Sequence, residues 1–199
     1  MGNRKNSADR KAEIVAAMLV LVAELGPECV TTQAVASRVG ITQAGVFRHF
    51  PAKRDLWIAV ADWVVAEARR RWDDARAPEG HPLAGIKQVM KAHLQFIQDT
   101  PAIHSLIFSR ELHTQNEELR QAFHSMAMNF HALLTDLASQ AQAVGDLPGN
   151  VSPQEVARLL LVLPSGLATQ WSLSGRSFNL AGEGERLLEI LLDCLHKAR

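Results

Sequence analysis

Tyrosine is absent from this chain of 199 residues, and cysteine occurs twice. Cys29 and Cys194 lie far apart without C-x-x-C spacing, which excludes a disulfide framework and fits free thiols in a reducing compartment. Long apolar runs are missing too. The stretches Ile14 to Val22 and Leu159 to Pro164 fall short of the ~20 residues a membrane span requires, so no membrane partner is expected. The start, MGNRKNSADRK, lacks the apolar run and small-residue cleavage site of a secretory signal, and a cytoplasmic protein is expected. There is no G-x-S-x-G, no Walker loop, no Gly-rich dinucleotide fingerprint after a strand and no H-E-x-x-H, so neither an enzyme nor a cofactor is expected. His124 and His131 stand two helical turns apart, too far to ligate one ion without further partners, and no metal site is expected. Net charge is also missing, with 21 basic and 21 acidic residues. That balance hides an asymmetry, because residues 1–54 carry eight Lys or Arg against four Asp or Glu and the remainder is correspondingly acidic. A basic quarter on an acidic remainder suggests that one end meets a polyanion.

What is present throughout is helical periodicity. No run of alternating β-branched residues with hairpin turns interrupts it, and an all-α fold of about nine helices is expected. Ile14, Met18, Leu21, Val22 and Leu25 mark one face of a first helix stopping at Gly26-Pro27. Thr31 reads as the N-cap of a short second helix ending at Gly40, and Thr42 as that of a third ending before Pro51. A fourth starts near Lys53 and runs towards Trp72, and the stretch 73–82 reads as a break. Five more follow, at about 86–99, 102–110, 119–144, 154–173 and 183–197.

A short helix, a glycine turn, an apolar Ile41, a capping Thr42 and a second short helix make a helix-turn-helix pattern. Val35, Val39, Val46 and Phe50 are expected inside, leaving Gln33, Gln43, Ala44, Arg48 and His49 outside. At the N-terminal end of such a helix Gln pairs with adenine, and a small residue such as Ala44 touches a thymine methyl. The same residues would serve a plain helical hairpin, but that reading leaves the exposed Gln, Arg, His and Lys cluster unexplained.

Residues 13–65 resemble the N-terminal domain of TetR-family transcriptional regulators. The resemblance lies in the apolar first helix ending in ELG, the TT-x-x-VA-x-x-VGIT segment, and F-x-HFP-x-K before an apolar helix. It implies a DNA-binding domain over 1–52 and a helical ligand-binding and dimerisation domain over 53–199. It also implies a homodimer on a palindromic double-stranded operator, expected to repress and to be released by a small-molecule effector. Thr42, Phe47, His49 and Lys53 match positions that usually lie on phosphates, and Gln33, Gln43 and Ala44 match positions near bases. Phe47 stands where the family commonly has Tyr, so a phenolic hydrogen bond to phosphate is lost. Ala52 stands where Ser is frequent, so a side-chain cap is missing. Arg48 is free to add charge or to read guanine. Arg4, Lys5, Arg10 and Lys11 form either a basic arm on DNA or a solvated tail. Arg69, Arg70 and Arg71, about 24 Å further along a helix, read as solvated.

In the last two helices apolar residues occupy more than one face, which asks for burial on more than one side. A second copy of the chain answers that need, with Leu160, Leu163, Leu187, Leu191, Cys194 and Leu195 as the expected interface. Pro164 either opens space for a ligand or merely bends its helix. Polar groups among apolar faces point to His93, His104, Gln170 and Trp171 as effector-binding residues, with Phe96, Phe108, Phe123, Met126, Phe130 and Leu167 as walls. Such a lining suits a mostly apolar molecule with a few hydrogen-bonding groups. The alternative is an architectural or division-control DNA binder with the same head and no effector.

Overall fold

The computed structural model describes residues 6–76 and 81–197. Among them are ten α-helices, one short 3-10 turn and no strand. The helices are α1 (Ser7–Leu25), α2 (Thr32–Val39), α3 (Gln43–His49), α4 (Lys53–Ala75), α5 (Pro82–Asp99), α6 (Ala102–Phe108), α7 (Arg110–Gln115), α8 (Glu117–Ala143), α9 (Pro153–Leu173) and α10 (Leu180–Lys197), with the 3-10 turn at Pro27–Cys29. One helix more than expected arises at Ser109. Its extended backbone ends α6, and its hydroxyl accepts from the Leu112 N–H at 3.1 Å to cap α7.

Contacts group the chain into two units, residues 1–66 with 100–123, and residues 67–99 with 124–199. The sequence boundary at 52/53 coincides with the start of α4, whose first half belongs to the first unit. In that unit α1 packs on α2, α3 and α6. Ile14, Met18, Val35, Val46 and Leu56 are buried to the last few per cent, while Leu25 projects into solvent and Val39 is only half-buried. Buried Ser109 donates to the Glu28 carboxylate at 2.6 Å, tying α6–α7 to the loop after α1.

In the second unit α10 packs along α5 and α9. A side chain at Gly184 would run into Leu94, its Cβ only 2.4 Å from Cδ1, so glycine is required for this approach. Arg70 bridges Glu67 and Asp74, Arg71 bridges Glu67 and Asp99, and Arg69 lies 3.8 Å from Asp73. Hydrogen bonds first from Arg70 and then from Arg71 hold the Glu67 carboxyl down at about 2. The three arginines are therefore paired along the helix rather than merely solvated. Helix α9 opens on a capping box between Ser152 and Glu155 and continues through Pro164. It is long and apolar enough for a membrane span by length and composition alone, with a window mean hydropathy of 1.2.

Candidate nucleic-acid interface

Helix α2 ends because Gly40 adopts the left-handed conformation, φ 75° and ψ 35°, which costs glycine little. The Ile41 N–H then donates to the Ala36 carbonyl at 3.0 Å and the Gly40 N–H to that of Ser37 at 3.3 Å, a Schellman closure. The chain is turned directly into Thr42, whose hydroxyl accepts from the Gly45 N–H at 3.0 Å and caps α3. Local chemistry alone thus sets two short helices at a fixed angle. Lone N-caps of this kind each stabilise by about 1 kcal/mol.

Val46 and Phe50 anchor α3 inside the unit. Ala44, Phe47, Arg48 and Lys53 are exposed, Gln33 is exposed on α2, and Gln43 and His49 are half-buried. The Phe47 ring is 40% exposed, large for an aromatic side chain with no polar atom. Three other cations of this unit are paired. Arg38 meets Glu24 at 2.6 Å, Arg10 meets Glu13 at 2.8 Å, and Arg54 pairs with Glu118. Among the described residues no carboxylate pairs with Arg48 or Lys53; the Lys53 ammonium lies over the Trp57 ring, 5.9 Å from its centroid. Lys11 lies within α1 rather than on an arm, with its ammonium 5.6 Å from the Phe50 ring centroid at the end of α3. Arg4 and Lys5 fall outside the described residues.

At the start of α4, Ala52 has no side chain to cap with, and the missing bond is replaced from the other side. The Asp55 carboxylate reaches back and accepts from the Ala52 N–H at 2.9 Å. That amide is consequently engaged. Residues 14–60, which hold this whole surface, match the family model described as bacterial regulatory proteins, tetR family. Residues 81–197, more than half of the chain, match the C-terminal region of MAATS-type transcriptional repressors. The chain is a TetR-family transcriptional regulator.

Both matched regions are those of transcriptional regulators rather than of enzymes. The chain is 27% identical over 120 residues to the nucleoid occlusion factor SlmA of Marinomonas sp. (strain MWYL1). The match takes in 60% of each protein, so the chain spans about three-fifths of the length of that curated relative. Its fold is shared with a putative regulator from Saccharomonospora viridis solved in complex with choline, with a TM-score of 0.82, 18% identity and coverage of 94% and 96% of the two chains. FadR from Bacillus subtilis, solved in complex with stearoyl-CoA, superimposes with a TM-score of 0.74 at 16% identity, covering 91% and 97%.

The residues expected to hold an effector are divided between the units. His104, Phe108 and Phe123 lie in the first, and His93, Phe96, Met126, Phe130, Leu167, Gln170 and Trp171 in the second. Phe108 is 58% exposed, with its ring 4.8 Å from that of His104, while Gln170 faces solvent. The Trp171 indole N–H donates to the Phe178 carbonyl at 3.0 Å. Arg71 covers the Phe96 ring, its guanidinium carbon 4.9 Å from the centroid. His93 and Phe130 do come together, ring centroids 4.4 Å apart, joined by Trp72, whose role the α4 periodicity disguised as ordinary core. The Trp72 Nε1 and His93 Nδ1 atoms are both shut away from solvent without a hydrogen-bond partner. Burial drives the His93 pKa down to about 4, so its ring is neutral at pH 7. A groove of about 120 Å³ between α5 and α10, lined by Lys87, Gln88, Lys91, Glu185, Leu188 and Glu189, shares no residue with the expected set. Among the described residues no group of three or more His, Cys, Asp or Glu is placed to hold a metal.

On the last two helices Leu160 and Leu195 face the chain's own core, and Leu163, Leu187 and Leu191 are half-buried. The outward row on α9 is instead Leu159, Val162, Gly166, Thr169 and Leu173, repeating at three and four residues, with Val162 64% and Leu173 85% exposed. On α10 exposed Ile190 and Cys194 continue beside Leu187 and Leu191. Of the expected interface residues, Leu160 is thus buried within the chain's own fold, because helix phase sets which apolar residues of α9 face inward.

Proposed function

We propose that this regulator is a cytoplasmic repressor that binds a palindromic operator as a homodimer and is released by a small, mostly apolar effector held in the C-terminal domain. The carrying observation is the surface of α3 and the start of α4, where Arg48 and Lys53 stand without carboxylate partners alongside exposed Ala44 and Phe47 and half-buried Gln43. Phosphates are the natural counter-charge for such cations, and α3 is the right width for a major groove. Lys53, Thr42 and His49 then position the head on the backbone, and Gln33, Gln43 and Ala44 read bases.

Self-association is supported by the three-four row of exposed apolar residues on α9 and its neighbour on α10. Such a row repeats along a helix in the spacing used by packed helix pairs. Two copies joined there carry two heads, suited to half-sites about 34–36 Å apart. Effector control is supported by two buried nitrogens without hydrogen-bond partners beside Phe130, of which the Trp72 indole N–H is a donor. An unpaired buried donor costs about 1–3 kcal/mol, which an oxygen of a bound molecule would recover. Family relatives solved with choline and with stearoyl-CoA support a ligand-holding domain of this fold.

The 27% identity to a nucleoid occlusion factor favours a second reading, a DNA binder of the same head without an effector. Footprinting on DNA flanking its own gene, repeated with a panel of hydrophobic compounds bearing oxygen acceptors, separates the two. Protection of a palindrome that is relieved by at least one compound supports the effector-controlled repressor. Protection unmoved by every compound favours the second reading, and an unprotected flank defeats the repressor.

A further inference from the structure

Gln43 is the first residue of α3, and its side chain is not free. Its Nε2 donates to the Thr32 Oγ1 at 2.7 Å. Thr32 opens α2 and is only 9% exposed, so its hydroxyl is fixed by the packing of the head. As a β-branched residue it is also stiff about χ1. A glutamine without such a tie loses several rotamers when its amide meets a base, and that ordering opposes binding.

A primary amide has two N–H donors and one acceptor oxygen. The N–H on the same side as the oxygen forms with it the donor–acceptor edge that matches N7 and the N6 amino group of adenine. The other N–H points away from that edge. We propose that Thr32 is a positioning residue for sequence reading, holding the outer N–H of Gln43 so that the remaining N–H and Oε1 face the major groove as an adenine-specific pair. The inference rests on the reading of α3 as the DNA-reading helix. It assigns one adenine step in each half-site to a pair of residues of which only one touches DNA.

Selection of bound duplexes from a pool with randomised half-sites, using the full chain, tests this. Wild type, Thr32→Val, Thr32→Ser and Gln43→Ala are compared at several salt concentrations, with a melting midpoint for each. Thr32→Val keeps the volume and removes the hydroxyl. It is expected to lower the adenine preference at one step of each half-site by about tenfold with an unchanged salt slope, while Thr32→Ser retains the preference. A Gln43-dependent adenine preference that survives intact in Thr32→Val overturns the positioning role alone. A profile that Gln43→Ala leaves as in wild type defeats base reading by Gln43, and the proposal with it. Should Thr32→Val fail to fold, the side-chain amide of Gln43 in ¹⁵N-labelled wild-type protein decides. It is expected to be as ordered as the backbone, and mobility equal to that of exposed Gln33 overturns the proposal.

Discussion

The Trp72 indole lies on the ring of Phe130, centroids 4.3 Å apart and planes 22° from parallel. With His93 against the same ring, the stack joins α4, α5 and α8 within the second unit. Removing its centre by Phe130→Ala is expected to cost about 3–5 kcal/mol, the range for a buried aromatic. Trp72→Phe keeps part of the aromatic surface and removes a donor that has no partner, so it is expected to cost less than Phe130→Ala, about 1–3 kcal/mol. Urea unfolding of both variants checks the contrast. If the proposed effector uses the indole N–H, Trp72→Phe also loses release from DNA while folding normally.

Burial of His93 makes stability depend on pH in a defined window. The folded-state pKa of about 4 lies below the ordinary value of 6.5, so the unfolded chain binds more protons between the two. The sign follows: the contribution is complete above pH 6.5 and is lost as pH falls towards 4, at up to about 1.4 kcal/mol per pH unit. Melting of wild type and His93→Gln from pH 7 to 4.5 is expected to show a shallower acid slope for the variant. Equal slopes would mean that the imidazole reaches water in the fold.

Restoring the missing cap is expected to stabilise the junction between α3 and α4. Asp55 already accepts from the Ala52 N–H, so Ala52→Ser completes a reciprocal capping pair. A gain of about 0.5–1 kcal/mol in chemical denaturation is the expected result. Asp55→Ala, which removes the existing half, is expected to lose a similar amount.

The outer row of α9 offers a test of association. Val162→Glu and Leu173→Glu place charge on exposed positions, so each protomer is expected to melt as before. Sedimentation is expected to report a dimer for wild type and a monomer for the double variant. A double variant that still sediments as a dimer would place the interface elsewhere.

The head was legible from sequence because each of its devices is local. Thr31, Gly40 and Thr42 act within a few residues of themselves, and all three do what their residue types suggest. The Asp55 replacement cap is less legible, because an acid three residues after an alanine is only half of a capping pair. Helix α7 is not legible in the sequence, because Ser109 fits a helix as well as a cap and only its extended backbone separates the two. The expected effector residues scattered because periodicity marks an inward face without saying which element it meets. Phe123 and Phe130 share α8, yet they belong to different units. By the same limit, the periodicity of α9 does not say that Leu160 is buried while Leu159 and Val162 are exposed.

The central claim is that α3 reads bases through Gln43 while Lys53 holds phosphate. Affinity of Gln43→Ala and Lys53→Ala for the selected palindrome and for single-base variants of it, measured across salt concentrations, tests that claim most directly. Gln43→Ala is expected to lose discrimination at one step of each half-site, by about 1–3 kcal/mol, and to keep the salt slope. Lys53→Ala is expected to weaken every sequence alike and to reduce the slope by about 1 per head. Two variants with the same base preferences and the same salt dependence would contradict it.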